Sequence, residues 1–236
     1  MTIEIEIKKT FVSGLRPGNA RMKGYLGMSL IGGCHAAAYD SFLGAREPDM
    51  RLTWYGFIGR LLEEGIRDLF RVSDEFILLP DGHYKYHIEA DFDSRYRGHA
   101  DIILASRSDG KMIVVDVKSL DWHKFENVAI YGEMPYSHHK NVSQVLSYMD
   151  HGKFDLGAII YTPRDIPHGL WPDSALHVAG NDVMPFKVIE IQPNPVACLA
   201  LNMEAVALLD AIGRKERPEC TCGFCRAPVD GDEISF

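Results

Sequence analysis

The strongest periodic pattern in the chain lies over residues 52–70, where apolar or small side chains recur at three- and four-residue steps. Such spacing is typical of an amphipathic α-helix with one buried stripe. The stripe consists of Tyr55, Gly59, Leu62, Ile66 and Phe70. Glu63 falls on the same face, so the pattern predicts a helix that carries one carboxylate toward the protein interior.

Alternating and apolar runs predict a sheet after this helix. The three expected strands are 84–92, 96–105 and 112–118. The turn sequence Ser108-Asp109-Gly110 joins the last two, a helix is predicted over 140–151, and a buried strand over 156–162. Further predicted elements are a strand at 2–8, a helix at 29–42, a strand at 186–192 and a closing helix at 195–214. The order helix, three-strand meander, helix, strand indicates an α/β fold.

Composition limits the class of protein. With 236 residues and 46% hydrophobic content, the chain can bury the core of one domain, which we expect to span residues 1–236. It has no run of about 18 apolar residues, and residues 1–9 alternate Ile with Glu or Lys, so we expect a soluble cytoplasmic protein without a membrane partner. A net charge of −8 argues against a protein that coats nucleic acid through an extended basic surface. A contact bridged by a bound cation remains compatible with that charge.

Acidic side chains and one lysine fall on corresponding faces of two expected strands. Because side chains alternate across a strand, Asp116 and Lys118 point to the same face of theirs. His99 and Asp101 share a face of the preceding strand in the same way. The short turn makes Asp101 and Asp116 neighbours, and Glu63 adds a third carboxylate. Two such charges about 4 Å apart repel by roughly 4 kcal/mol in a partly buried site, so the cluster needs a cation, and oxygen ligands favour Mg²⁺ or Mn²⁺.

The reaction that suits this arrangement is phosphodiester hydrolysis. A divalent ion bound by Glu63, Asp101 and Asp116 would polarise a phosphate oxygen and activate a water molecule. Lys118 would orient that water or stabilise the negative charge of the transition state. Any one of these residues alone could be an exposed charge at a strand end, but their joint placement favours a catalytic site. His99 is a candidate for a supporting contact and is not assigned a catalytic role.

Four short motifs follow one another along the chain: Gly59-Arg60-Leu61-Leu62-Glu63, Gly98-His99-Ala100-Asp101, Asp116-Val117-Lys118 and Gln144-Val145-Leu146-Ser147-Tyr148. Together they resemble the motifs of the PD-(D/E)XK nuclease superfamily, and within it the RecB-like exonucleases, including the CRISPR-associated ones. Glu63 stands where many exonuclease relatives carry histidine, and Asp116 stands where glutamate is frequent. The resemblance covers most of the chain and implies a restriction-endonuclease-like core.

The resemblance also implies a substrate and further site residues. It implies a metal-dependent exonuclease on single-stranded or end-frayed DNA in recombination, repair or spacer acquisition, with a helicase, recombinase or integrase as a candidate partner. Gln144 and Tyr148 would contact the DNA strand or the water beside the metal, and their four-residue step places both on one flank of a helix. A second interpretation is a catalytically silent, cluster-bearing DNA-binding subunit, although intact Asp101, Asp116 and Lys118 count against it.

Three cysteines lie close together in the tail of the chain: Cys220, Cys222 and Cys225. Their spacing favours a metal site in a reducing compartment, with Cys34 as the candidate fourth ligand, and leaves zinc and an iron–sulfur cluster open. A zinc-stapled regulatory protein without nuclease activity is therefore a third interpretation. The RecB-like resemblance implies a structural 4Fe–4S cluster, held by one cysteine before the core and three after it, that joins elements at about 29–44 and 215–228. Cys198 is left over and is predicted to be a buried thiol.

A mixture of rings and cations between the third and fourth motifs predicts contacts with single-stranded nucleic acid through stacking and phosphate binding. Its members are Trp122, His123, Lys124, Phe125, Tyr131, Tyr136, His138, His139 and Lys140. Arg16, Arg21 and Lys23 in a glycine-rich N-terminal loop are expected to add phosphate contacts. Each of these residues alone could be an ordinary surface residue, but as a group they favour a groove for a DNA strand.

Overall fold

The computed structural model describes residues 24–44, 50–79, 86–166, 176–178 and 181–220. Its helices are α1 (His35–Leu43), α2 (Met50–Arg71), α3 (Trp122–Glu126), α4 (His138–Gly152) and α5 (Pro195–Arg214). Its strands are β1 (Leu26–Gly27), β2 (Phe76–Leu79), β3 (Tyr86–Ala90), β4 (Asp93–Ala100), β5 (Ile102–Ser106), β6 (Met112–Leu120), β7 (Leu156–Pro163), β8 (Leu176–Val178), β9 (Asn181–Val183) and β10 (Lys187–Ile191). A 3₁₀ turn at Met28–Leu30 and a π-helical turn at Asn127–Tyr131 complete this regular structure.

Two larger sheets organise these strands, and β8 pairs with β9 in a separate hairpin. The five-stranded sheet has the order β10-β7-β6-β5-β2, in which β6 and β7 are parallel and the other neighbours are antiparallel. The chain passes through α4 between the two parallel strands, which cannot be joined by a tight turn. Val114, Val115, Asp116 and Val117 of β6 are all buried, as expected for a central strand covered on both faces. The three-stranded sheet has the order β1-β4-β3.

Helices cover both faces of the five-stranded sheet. On one face, Val115 and Val117 of β6 pack near Ile66 and Phe70 of α2. On the other face, Val114 belongs to the main core, which includes apolar side chains of α4 and α5. Because side chains alternate along β6, its even-numbered residues lie on the α4 side of the sheet. Asp116 and Lys118 therefore both lie on that side.

The mixed α/β class expected from the sequence is confirmed, and several elements agree closely with their prediction. The closing helix has its predicted bounds, and the amphipathic helix extends slightly to Met50–Arg71. Strand β2 and the hairpin β8–β9 are absent from the sequence-based expectation. The strand predicted at 2–8 lies outside the described residues.

The prediction of one continuous strand over 96–105 is wrong. The chain breaks at Asp101 into β4 and β5, which belong to different sheets. At this point the Asp101 carbonyl oxygen accepts a hydrogen bond from the Arg67 guanidinium, and the Asp101 carboxylate accepts one from the Val117 N–H, so side chains bind two backbone groups that would otherwise continue a strand ladder. The expected meander is therefore divided: β3 pairs with β4 in the smaller sheet, and β5 with β6 in the larger one.

The helix predicted over 29–42 begins only at His35. Gly32 has a φ of +73°, in the left-handed region that interrupts a right-handed helix. Cys34 is consequently the N-cap residue of α1 and does not lie in the middle of a helix.

Helix α5 is long and apolar enough to cross a membrane by length and composition alone. Leu201, Ala205 and Leu208 on its inner face are buried in the main core, as in the core helices of soluble proteins. Leu199 and Met203 on its outer face are 62% and 65% exposed. The composition of this helix is thus weak grounds for a membrane contact.

Candidate active site

One cavity of about 650 Å³ collects every residue that the motifs single out as catalytic. These residues are Glu63, Asp101, Asp116, Lys118, Gln144 and Tyr148. Helix α2 supplies the glutamate, the break between β4 and β5 supplies the first aspartate, and β6 supplies the aspartate and lysine of the third motif. Helix α4 supplies the glutamine and the tyrosine. Residues far apart in sequence thus surround a single space.

Asp116 and Lys118 form an ion pair in the cavity wall. Asp116 is completely buried, and Lys118 Nζ lies 2.7 Å from its Oδ2. Burial raises the pKa of Asp116; the Lys118 ammonium opposes this shift, whereas the Asp101 carboxylate adds to it. Burial would lower the pKa of Lys118, but the two aspartates outweigh it and raise that pKa. Lys118 therefore stays charged, and the ionised form of Asp116 depends on this ammonium and on any further cation nearby.

Asp101 is held from two sides and is only 6% exposed. Its Oδ2 accepts a hydrogen bond of 3.0 Å from the Val117 N–H, and its carbonyl oxygen accepts one from the Arg67 guanidinium. Arg67, also 6% exposed, lies on α2 one helical turn after Glu63. Sequence reasoning missed Arg67, although its four-residue distance from Glu63 places both on one helix face and could have identified it.

Gln144 links the ion pair to α4. Its Oε1 accepts a hydrogen bond from Lys118 Nζ at 3.1 Å, and its Nε2 donates to Asp116 Oδ1 at 3.1 Å. The same Nε2 donates to the Tyr148 hydroxyl at 2.7 Å, and that hydroxyl donates to the His99 carbonyl oxygen at 3.0 Å. Gln144 and Tyr148 are both buried, at 7% and 2% exposure. The polar groups of Gln144 and Tyr148 thus contact Asp116, Lys118 and the backbone of β4, and these contacts fix the positions of the acid and the lysine.

The three candidate metal ligands line the cavity without forming a closed coordination site. Within the described ranges, no three His, Cys, Asp or Glu side chains converge as the ligands of one ion. Mg²⁺ commonly binds through one or two carboxylates and retains several waters, so a closed site is not required. Asp116 Oδ2 is buried and accepts no directed hydrogen bond from the described part of the chain, although the Lys118 ammonium lies close to it. This acceptor of Asp116 therefore fits a divalent ion, and Asp101 and Glu63 line the same cavity.

Further cationic and aromatic side chains, which sequence reasoning did not assign to the site, line the same cavity. They are Tyr25, Arg60 and Arg97. Arg60 lies within the first motif and Arg97 directly precedes the second. Their positions beside these motifs could have identified them as residues of the site. Together with Lys118 they place three cations around the carboxylates, and this mixture suits a ligand that carries negative charge.

The aromatic and basic group between the third and fourth motifs is divided between core and surface. Phe125 is fully buried, which contradicts its predicted surface role, and His138 Nδ1 lies 2.9 Å from the Tyr161 hydroxyl. Tyr131 and Tyr136 are exposed, at 61% and 79%. As far as the structure describes it, the cavity wall includes no member of this group. The basic residues expected in the N-terminal loop lie outside the described residues: Arg16, Arg21 and Lys23.

Two of the four clustered cysteines can be placed. The Sγ atoms of Cys34 and Cys220 lie 3.7 Å apart, although the residues are separated by 186 positions. Arg217 supports this approach with two hydrogen bonds of 2.8 Å to the Asp40 carboxylate of α1. Cys222 and Cys225 lie outside the described residues. Cys198 is 8% exposed in the main core, so its predicted burial is confirmed.

The fold of this chain is similar to the folds of solved exonucleases. The alkaline exonuclease LHK-Exo from Laribacter hongkongensis aligns with a TM-score of 0.54 and 14% identity, covering 83% of this chain and 91% of that one. The structure of LHK-Exo in complex with dAMP aligns with a TM-score of 0.56 and 13% identity over 84% and 92% of the two chains. A phage-related exonuclease from Haemophilus somnus 129PT has a TM-score of 0.48 and 14% identity over 72% and 74%.

Comparison by sequence gives no such relationship. No family model matches the chain. No curated protein matches it significantly either. At 13–14% identity, the structural similarity to LHK-Exo defines the fold class.

Proposed function

We propose that this protein is a metal-dependent deoxyribonuclease that hydrolyses phosphodiester bonds in the cavity between α2, α4 and β6. Its proposed substrate is single-stranded or end-frayed DNA, which it degrades as an exonuclease in recombination, repair or spacer acquisition. The observation that carries the proposal is the buried Asp116–Lys118 pair, 2.7 Å apart, in one cavity with Glu63 and Asp101. The exonuclease-like fold supports the same function.

The proposed cofactor is Mg²⁺ or Mn²⁺, held by Asp101 and Asp116 with Glu63 on the same wall. When bound, such an ion polarises a phosphate oxygen and lowers the pKa of a coordinated water. Aspartate and glutamate oxygens are the ligands that these hard cations prefer. A protein with a net negative charge can act on a polyanion in this way, because the carboxylates bind the cation and the cation supplies the positive field that the phosphate meets.

The protein's own residues bring the reacting groups into place. The Lys118 side chain is 27% exposed and lines the cavity, so its ammonium can stabilise negative charge that develops on the phosphate. Gln144 fixes Lys118 and Asp116 through hydrogen bonds of 3.1 Å to each, and Tyr148 holds Gln144 in turn. Arg67 and the Val117 N–H hold Asp101 from behind. Because these side chains are already in position before the substrate binds, little rearrangement of the site is needed to reach the transition state.

We also propose that the four clustered cysteines hold a structural 4Fe–4S cluster, with Zn²⁺ as the alternative. The ligands would be Cys34, Cys220, Cys222 and Cys225. The 3.7 Å separation of the Cys34 and Cys220 Sγ atoms supports a shared metal site, because it brings two potential metal ligands from opposite ends of the chain side by side. A cytoplasmic location, where thiols stay reduced, and a helicase, recombinase or integrase partner are part of the same proposal.

Cleavage of end-labelled single- and double-stranded DNA with Mg²⁺ or Mn²⁺ tests the nuclease proposal. We expect Asp116→Asn and Lys118→Ala each to lose about 100-fold or more in rate, because each removes a charge from the site. The chain offers a matched control in Asp109 and Lys111, an aspartate and a lysine with the same spacing that pair at 2.8 Å on the exposed β5–β6 turn. Asp109→Asn and Lys111→Ala should leave the rate unchanged.

Equal cleavage by the wild type and both site variants would reject the catalytic site. A wild type that binds DNA without cutting it under any of these conditions would instead identify the silent DNA-binding subunit.

A further inference from the structure

We propose that Arg97 is a phosphate-binding residue of the cavity, which holds a backbone phosphate of the bound DNA strand beside the phosphate that is cleaved. The proposal rests on the nuclease function proposed above. It assigns a substrate contact to a residue that lies outside the four motifs.

The backbone of Arg97 is held firmly beside the site. β4 is the middle strand of the smaller sheet, and there Arg97 pairs with Gly27 of β1 on one side and with Glu89 of β3 on the other. Tyr96, Gly98 and Ala100 form the buried face of β4, so Arg97 points to the opposite, open face. Because the strand is paired at both edges, the backbone of Arg97 has a fixed position from which its side chain can reach a ligand.

The Arg97 side chain keeps hydrogen-bond donors available. Its guanidinium carbon lies 4.3 Å from the centre of the Tyr25 ring, which orients the planar group, and 34% of the side chain is exposed. Its Nε is buried and has no hydrogen-bond acceptor among the described residues, so the terminal Nη groups are the donors that a ligand can reach. Five donors in a rigid fork match a phosphate group, which can accept two parallel hydrogen bonds from it.

Glu89 competes only weakly for these donors. Its Oε1 lies 3.8 Å from Arg97 Nη1, beyond the length of a hydrogen bond, and its side chain is 45% exposed. The same Oε1 lies 2.7 Å from His87 Nε2. Exposed ion pairs of this kind contribute little, so a phosphate can replace the carboxylate as the partner of Arg97.

The distance along β4 places Arg97 within reach of the strand that enters the site. Arg97 and His99 are neighbours on one face of β4, about 6.6 Å apart at the usual rise per residue, and Asp101 follows at the end of the strand. Arg97 and the carboxylates line the same cavity. Asp101 is four residues from Arg97, at most about 13 Å at the same rise, so a DNA strand with one phosphate at Asp101 and Asp116 can present another of its phosphates to the long side chain of Arg97.

Binding of fluorescent single-stranded oligonucleotides over a series of salt concentrations tests this inference. The parent protein carries Asp116→Asn so that the strand stays uncut. We expect Arg97→Gln to weaken binding about 10-fold for every sequence tried and to reduce the slope of log Kd against log salt concentration by about 0.7, the contribution of one phosphate contact. Arg97→Lys should restore the slope, because it restores the charge, while recovering only part of the affinity. Arg107→Gln, in the β5–β6 turn outside the cavity, is the matched control and should change neither quantity.

Two results would overturn the proposal, and they are distinguishable. If the parent protein binds DNA with a normal salt dependence and Arg97→Gln keeps both affinity and slope, Arg97 contacts no phosphate while the nuclease function stands. If the parent protein and the active wild type bind no DNA at any salt concentration, the nuclease function fails and the role of Arg97 fails with it.

Discussion

At the scale of single residues, the site depends on Gln144, whose amide contacts both members of the ion pair. An amide presents an acceptor and a donor, and here the acceptor meets the Lys118 ammonium while the donor meets the Asp116 carboxylate. A residue with only donors or only acceptors could not serve both partners. The sequence placed Gln144 on the correct helix, but only the contacts show which groups it holds.

Gln144→Glu tests this role with almost no change in side-chain volume. The new carboxylate would face the buried Asp116 where an N–H donor stood, so like charges replace a hydrogen bond. We expect kcat for DNA cleavage to fall about 10- to 100-fold, the cost of losing a hydrogen bond to a charged group. Ser143→Ala is the control on the same helix, because the Ser143 hydroxyl donates only to the His139 carbonyl oxygen of its own helix. A Gln144→Glu enzyme with wild-type kcat would contradict the positioning role.

At the scale of elements, the site requires α4 to lie very close to β4. A methyl group at Gly98 would lie 2.5 Å from Tyr148 Cε1, closer than real contacts allow, and 3.2 Å from Met28 Cβ, which is a tight contact. The absence of a side chain at Gly98 lets Tyr148 reach the His99 carbonyl oxygen, and Tyr148 then holds Gln144. The glycine of the second motif therefore acts through packing between two elements.

Gly98→Ala is expected to lower the free energy of unfolding by about 1–3 kcal/mol, as overpacking of a buried contact does. Chemical denaturation followed by circular dichroism measures it. Gly65→Ala is a suitable control, because Gly65 lies on α2 with open space around it and alanine should stabilise the helix by about 0.5–1 kcal/mol. If Gly98→Ala were as stable as the wild type, the packing of β4 against α4 would not require a glycine at position 98.

At the scale of the whole molecule, the beginning and the end of the described chain meet. Cys34 at the start of α1 lies beside Cys220 beyond α5, and Arg217 pairs with Asp40 of α1. A cross-link here closes a loop that contains all six candidate catalytic residues, and closing so long a loop lowers the entropy of the unfolded chain. The proposed cluster would thus stabilise the frame around the cavity without taking part in hydrolysis.

Cys34→Ser tests the metal site at this junction. In anaerobically purified protein we expect about four irons per chain and broad visible absorbance in the wild type, and loss of both, with a lower Tm, in the variant. Cys198→Ala removes a core thiol that donates to the Leu146 carbonyl oxygen, and it should keep the iron. If the wild-type protein is colourless and contains one zinc per chain, the four cysteines hold zinc and the cluster assignment is wrong.

The sequence by itself determined the α/β class, the bounds of the closing helix, and the six motif residues that line one cavity, because periodicity, alternation and motif spacing are local properties of the chain. Only the tertiary structure decided the break of the expected strand at Asp101, the supporting roles of Arg67 and Gly98, and the presence of Arg97 in the cavity. Those features arise from contacts between elements distant along the chain. Their energies depend on which surfaces meet, and no local pattern records that.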